Sequence, residues 1–128
     1  MKKYRLLALA LTLLPLYAVA ADPCDTAVSD PDINECAAQE YSRVDGILNT
    51  TYKKVLADLK ASGKEYPDAL KARQELIKAQ RLWVSFREAD CNAIFTLHQS
   101  GTIRVLMYHS CMTSHSEQRI KELKEFNQ

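Results

Sequence analysis

The chain has 128 residues, of which 26% are charged and 47% hydrophobic, and it carries a formal net charge of +1. That length suits one domain with a modest core. Positive and negative side chains are interspersed rather than clustered, which argues against nucleic acid as a partner, since a phosphate-binding surface needs concentrated Lys and Arg.

The N-terminus reads as a leader: "MKKYR" supplies positive charge, "LLALALTLLPLYAVA" an apolar run, and Ala18-Val19-Ala20 an A-x-A cleavage signal. Residues 1–20 are therefore expected to be removed as a secretory signal peptide. That leaves residues 21–128 as a single helical domain, periplasmic or secreted, with no stable membrane span. Cys24 is preceded by Ala21-Asp22-Pro23, not by the small-residue box of a lipoprotein signal. Loss of Lys2, Lys3 and Arg5 would take the formal charge from +1 to about −2.

In chain order, Ser29 is a good N-cap with Pro31 and Asp32 in the first turn of a helix. Ala37, Tyr41, Val44, Leu48, Tyr52, Val55 and Leu59 then alternate in spacings of four and three, the apolar stripe of a helix. "ASGKEYP" interrupts it with Gly63 and Pro67. A second helix follows, with Leu70, Ile77, Val84 and Cys91 repeating every seven residues and Leu76 and Trp83 beside them. Gly101 stops it, and Thr102 is placed to cap a third helix running to about Phe126, whose Leu106, Met107, Tyr108, Ile120 and Leu123 suggest two partly buried faces. The expected fold is all-α, an antiparallel helical hairpin plus a third helix, with no strand.

All four cysteines, Cys24, Cys36, Cys91 and Cys111, lie beyond the leader, and an even count in a small secreted domain reads as two disulfides. A zinc site would need C-x-x-C or paired-histidine spacing, and His98, His109 and His115 do not share a helical face, so neither metal nor cofactor is expected. A hairpin folded near Lys64 brings Tyr52 level with Leu76, Leu48 with Gln80, Asp45 with Trp83 and Tyr41 with Arg87. Cys36 and Cys91 also come out level, which favours Cys36–Cys91 with Cys24–Cys111. The same reasoning about Gly101 levels Cys91 with Cys111, so Cys91–Cys111 with Cys24–Cys36 stays open. Chain entropy, about 4 kcal/mol for the longer Cys36–Cys91 loop against about 3 for either local loop, does not decide between them.

Arg73, Gln80 and Arg87 repeat every seven residues on the second helix, while Asp45 and Asn49 lie beside the first stripe. Arg87 is expected to reach Asp45, and Gln80 to reach Asn49, as a structural polar seam that fixes the register of the helices. A catalytic reading of these residues lacks a nucleophile beside a base, a second carboxylate beside Asp45 and a glycine-rich phosphate loop, so the protein is not expected to be an enzyme.

Taken together, Cys24 and Cys36, "VDGILNTTY" from Val44 to Tyr52, "AQRLWVSFREADC" from Ala79 to Cys91, Cys111 and "RIKEL" from Arg119 to Leu123 resemble the LprI-like family of lysozyme inhibitors. The order of Asp45, Leu48, Asn49, Tyr52, Gln80, Trp83, Arg87 and Cys91 carries the resemblance, with Leu48, Tyr52 and Trp83 as signature core residues. It implies a small disulfide-bonded helical protein of the envelope or exterior that binds lysozyme and protects the cell wall. The alternative is a non-inhibitory periplasmic binding or adaptor module of the same fold. An inhibitor must present a surface to a cleft lined by two carboxylates. The candidate binding turns are "SGKEYP", with Lys64 and Tyr66, and "HQSGTIR", with Ser100, Thr102 and Arg104. The residues do not specify an oligomeric state.

Overall fold

Ser29 opens the first long helix as its neighbours predict. Its hydroxyl oxygen accepts the backbone N–H of Asp32 at 3.3 Å, a proline stands in the first turn, and Asp30 and Asp32 set negative charge against the positive end of the helix. The computed structural model of the protein describes residues 23–126, so the expected leader lies outside them. Among the described residues, a short 3-10 turn (Pro23–Thr26) precedes α1 (Asp30–Ser62), α2 (Pro67–Leu97) and α3 (Arg104–Glu125), and there is no strand. None of these helices is long and apolar enough to cross a membrane.

The α1 stripe buries Val44, Leu48 and Val55, with Tyr52, Leu56 and Leu59 packed alongside. They meet Leu76 of α2 and Ile120 and Leu123 of α3, and Trp83 closes the cluster. Removing such side chains from water contributes about 1.5–3 kcal/mol each when fully buried.

Cross-helix contacts give the direction of each helix. Arg87 reaches Asp45 and Arg73 reaches Leu56, so positions on α2 fall as those on α1 rise, an antiparallel order. Gln80 meets Arg119 and Phe95 meets Tyr108, the same order between α2 and α3. α1 and α3 consequently run in the same direction, and this pair has the most extensive packing in the molecule.

Two expectations about helix faces and ends change here. The apolar heptad of α2 is not its buried row: Leu70 is exposed and Ile77 and Val84 are half-buried, while Leu76, Gln80, Arg87 and Cys91 are buried. α2 packs against two helices at once, which turns its buried face toward polar positions that find partners there. Thr102 does not cap α3. Ile103 holds that position without a side-chain bond, and Arg104 Nη1 donates to the Gly101 carbonyl at 3.1 Å.

The expected pairing Cys36–Cys91 with Cys24–Cys111 is incorrect. The bonds are Cys24–Cys36, with Cα atoms 5.4 Å apart, and Cys91–Cys111, at 5.6 Å. The register explains this, because the Asp45–Arg87 and Leu56–Arg73 contacts place Cys36 roughly one helical turn past the level of Cys91. Cys91 is wholly buried against α3, where the α2–α3 connection sets Cys111 beside it. Cys36, near the start of α1, takes Cys24 from the 3-10 turn folded against it.

The α1–α2 pair outruns α3. Phe126, just past α3, lies beside Ala72, Leu76 and Ala79, so the connection between α1 and α2 projects roughly 10 Å further as a two-helix tip. Gly63 ends α1 with ordinary right-handed backbone, and its lack of a side chain matters for space: a Cβ there would fall inside the Leu70 isobutyl group.

Candidate functional site: a polar seam and a projecting tip

Trp83, the only tryptophan, has a guanidinium over its ring from each of two helices: Arg87 Cζ lies 4.9 Å from the ring centroid and Arg119 Cζ 5.9 Å. The Arg87 side chain is only 5% exposed, and its Nη1 donates both to Asp45 Oδ1 and to Ser116 Oγ at 2.8 Å. Ser116, wholly buried, donates its own hydroxyl hydrogen bond to the Met112 carbonyl at 2.7 Å. Arg87 also lies 5.5 Å from the Tyr41 ring centroid, while its Nε is buried without a hydrogen-bond partner. A cation this enclosed is tolerable because one carboxylate, one hydroxyl and two aromatic faces surround it.

Gln80 and Asn49 do not pair as expected. Gln80 Oε1 accepts from Arg119 Nε at 3.0 Å, and Arg119 Nη1 also reaches Glu122 Oε2 at 2.9 Å. Asn49 turns back on its own helix, donating Nδ2 to the Asp45 carbonyl at 2.9 Å and to Asp45 Oδ2 at 3.0 Å. The expectation treated the seam as belonging to two helices. α3 lies along it, and Arg119, a cation with five N–H donors against the two of the Asn49 amide, takes the Gln80 oxygen.

Ser116 and Arg119 were not singled out individually from sequence, although Arg119 opens the "RIKEL" motif. Ser116 follows Met112 by four and precedes Ile120 by four, so a polar residue on an otherwise buried row of α3 was the available signal. Leu48 is buried, and Tyr52 and Trp83 are half-buried against the core.

Beside this seam burial holds the Tyr41 phenol above its ordinary value, an effect that the Arg87 cation partly offsets. His109 stands between Tyr41 and Tyr108, with ring centroids at 6.0 and 5.4 Å, and burial lowers its pKa. Its Nδ1 is buried with no hydrogen-bond partner. Glu40 is lowered mainly by its hydrogen bond to Arg43 on the same exposed helix face.

One potential ligand group forms that spacing did not foresee: the sulfurs of Cys91 and Cys111 and a nitrogen of His115 lie within 4.8 Å of one another. Both sulfurs are bonded to each other, and His115 Nε2 contacts Asp90 Oδ2 at 2.8 Å. The arrangement is an imidazole braced beside a closed disulfide, without a thiolate to bind a cation.

The two candidate turns stand apart, at opposite ends of α2, separated by about 46 Å of helix. Lys64 and Tyr66 are exposed on the tip, Tyr66 to 66%. Ser100, Thr102 and Arg104 are exposed at the other end, where Arg104 is engaged with Gly101. The seam residues are engaged with one another; the tip residues face solvent.

The described residues form a small all-α domain with two disulfides, in which Asp45, Arg87 and Ser116, and Gln80 with Arg119, pair with one another across the helices. The chain belongs to the LprI family: the family model described as "Lysozyme inhibitor LprI" matches residues 21–123. It is 35% identical over 116 residues to R02472 of Rhizobium meliloti (strain 1021), covering 87% of this chain and 84% of that one. It is 29% identical over 105 residues to YecT of Escherichia coli (strain K12), covering 74% of this chain and 64% of that protein. Both relatives are described as uncharacterized proteins. No solved structure gives a significant match.

Proposed function

We propose that the protein is a periplasmic or secreted lysozyme inhibitor that binds by its projecting tip and acts without catalysis of its own. The observation that carries this reading is the family match, which begins at residue 21, directly after the expected leader, and runs through all three helices. The geometry supports the tip over the other turn. A muramidase cleft is a groove with two carboxylates at its floor. A two-helix wedge bearing an ammonium group at Lys64 and an exposed phenol at Tyr66 suits such a groove in shape and charge. The Ser100–Arg104 turn lies too far away to share the same cleft.

The test is a turbidity assay of cell-wall lysis by several lysozyme classes, with the oxidised protein titrated in. Protection near stoichiometric protein, lost on Lys64→Ala with Tyr66→Ala but retained on Ser100→Ala with Thr102→Ala, is the expected result. Full lysis by every class would overturn inhibition and favour an adaptor role in the envelope. Protection that survives the tip substitutions would overturn the assignment of the surface alone.

A further inference from the structure

α2 carries apolar side chains on two faces. One is inward, and on the other side Leu82, Phe86, Ala89, Ala93 and Leu97 follow one another at spacings of four, three, four and four, a continuous stripe about 22 Å long. All five are exposed, Leu82 to 65%, Phe86 to 56% and Leu97 to 75%. Single exposed apolar residues are ordinary, but large ones aligned along one helix mark a contact surface. The Phe86 ring is held in place edge-on to His115, with centroids 5.5 Å apart, so the stripe is presented by a braced side chain.

We propose that this stripe is the interface of a symmetric homodimer in which two α2 helices pack antiparallel about a two-fold axis beside Ala89. The stripe is self-complementary in size. With the axis there, Leu82 of one copy lies opposite Leu97 of the other, and Phe86 opposite Ala93, so each bulky group meets either its apolar counterpart or a methyl. Ala89 lies near its own copy, where a small residue lets the two backbones approach. Such an isologous contact closes on itself and leaves no second sticky surface.

Charge makes the same assignment. α2 has no basic residue in its own last turn, so its helix supplies no cation to the negative end of its dipole. In the antiparallel pair Lys78 and Arg81, both exposed just before the stripe, fall beside that end of the second copy. The pairing also directs the two Lys64–Tyr66 tips away from each other. The dimer is independent of lysozyme binding, and it would leave both tips open.

Sedimentation equilibrium of the oxidised chain 21–128 over a wide concentration range tests the proposal, with helical circular dichroism as the check on folding. The expected result is a concentration-dependent doubling of mass that Phe86→Glu and Leu82→Glu each abolish with helicity unchanged, and that Lys78→Glu with Arg81→Glu weakens several-fold. A monomer at every concentration would overturn it, as would a dimer that persists in both stripe variants. A monomer whose capture of lysozyme is lost on Phe86→Glu would also overturn it, giving the stripe to a different partner.

Discussion

Asp45 and Arg87 form one ion pair whose two ends have unequal access to water, so removing either end should have unequal cost. The Arg87 side chain is 5% exposed and that of Asp45 30%. Asp45→Ala strands a buried guanidinium whose remaining polar partner is Ser116 and whose Nε is already unpartnered. The cost should be about 3 kcal/mol, the lower end for breaking a buried pair, because some water reaches the vacated position. Arg87→Met leaves a carboxylate that water can solvate, keeps the apolar stem between Tyr41 and Trp83, and leaves Ser116 bonded to Met112. It should cost only about 1 kcal/mol, mostly the lost cation–π contacts. Adding Arg87→Met to Asp45→Ala should then restore about 2 kcal/mol. Urea unfolding followed by Trp83 fluorescence reads the seam directly, since Trp83 is the sole tryptophan and lies under Arg87. In thermal melts the single Asp45→Ala variant should lose at least about 12 °C. Arg87→Met as costly as Asp45→Ala, or costs that simply add in the double variant, would refute the argument from unequal burial.

Three further outcomes follow from the same structure. Non-reducing peptide mapping should recover Cys24 linked to Cys36 and Cys91 linked to Cys111, and replacing both Cys91 and Cys111 by Ala should lower stability by about 3 kcal/mol. Burial lowers the folded-state pKa of His109 below its ordinary 6.5, so the unfolded chain takes up a proton first as pH falls. Its contribution is therefore complete above pH 6.5 and is lost as pH drops toward the folded value; His109→Phe, which preserves the ring contacts with Tyr41 and Tyr108, should flatten that dependence in urea midpoints measured on either side of 6.5. Ser29→Ala, which removes the hydroxyl that accepts from Asp32, should cost about 1 kcal/mol in chemical denaturation.

Local patterns in the sequence located α1 well, because Ser29, Pro31 and the Val44–Leu48–Val55 stripe all act within one helix and depend little on what lies across from it. Asp45 meeting Arg87 was legible for a related reason, since a long antiparallel pair keeps its register over many turns. The failures share a cause in α3. Its Arg119 takes Gln80, its Ser116 takes part of Arg87, and its Cys111 takes Cys91, none of which a two-helix register contains. The apolar heptad of α2 misled because a helix wedged between two neighbours buries a face chosen by both of them. On the tip, the turn residues Gly63 and Pro67 were visible, but the seating of Leu70 on the glycine is a steric fact that spacing does not carry.

Both disulfides lie at one end of the three-helix core, near the start of α1, the close of α2 and the start of α3, while the opposite end projects as the tip without a covalent tie. Amide hydrogens should therefore exchange on a gradient, slowest around Cys91 and Met112 and fastest from Lys60 to Leu70, where two helices have only each other. Fraying at the tip would cost far less than opening the core. The segment proposed to meet lysozyme is thus the one whose opening, and whose exposed side chains Lys64 and Tyr66, bear least on the rest of the fold.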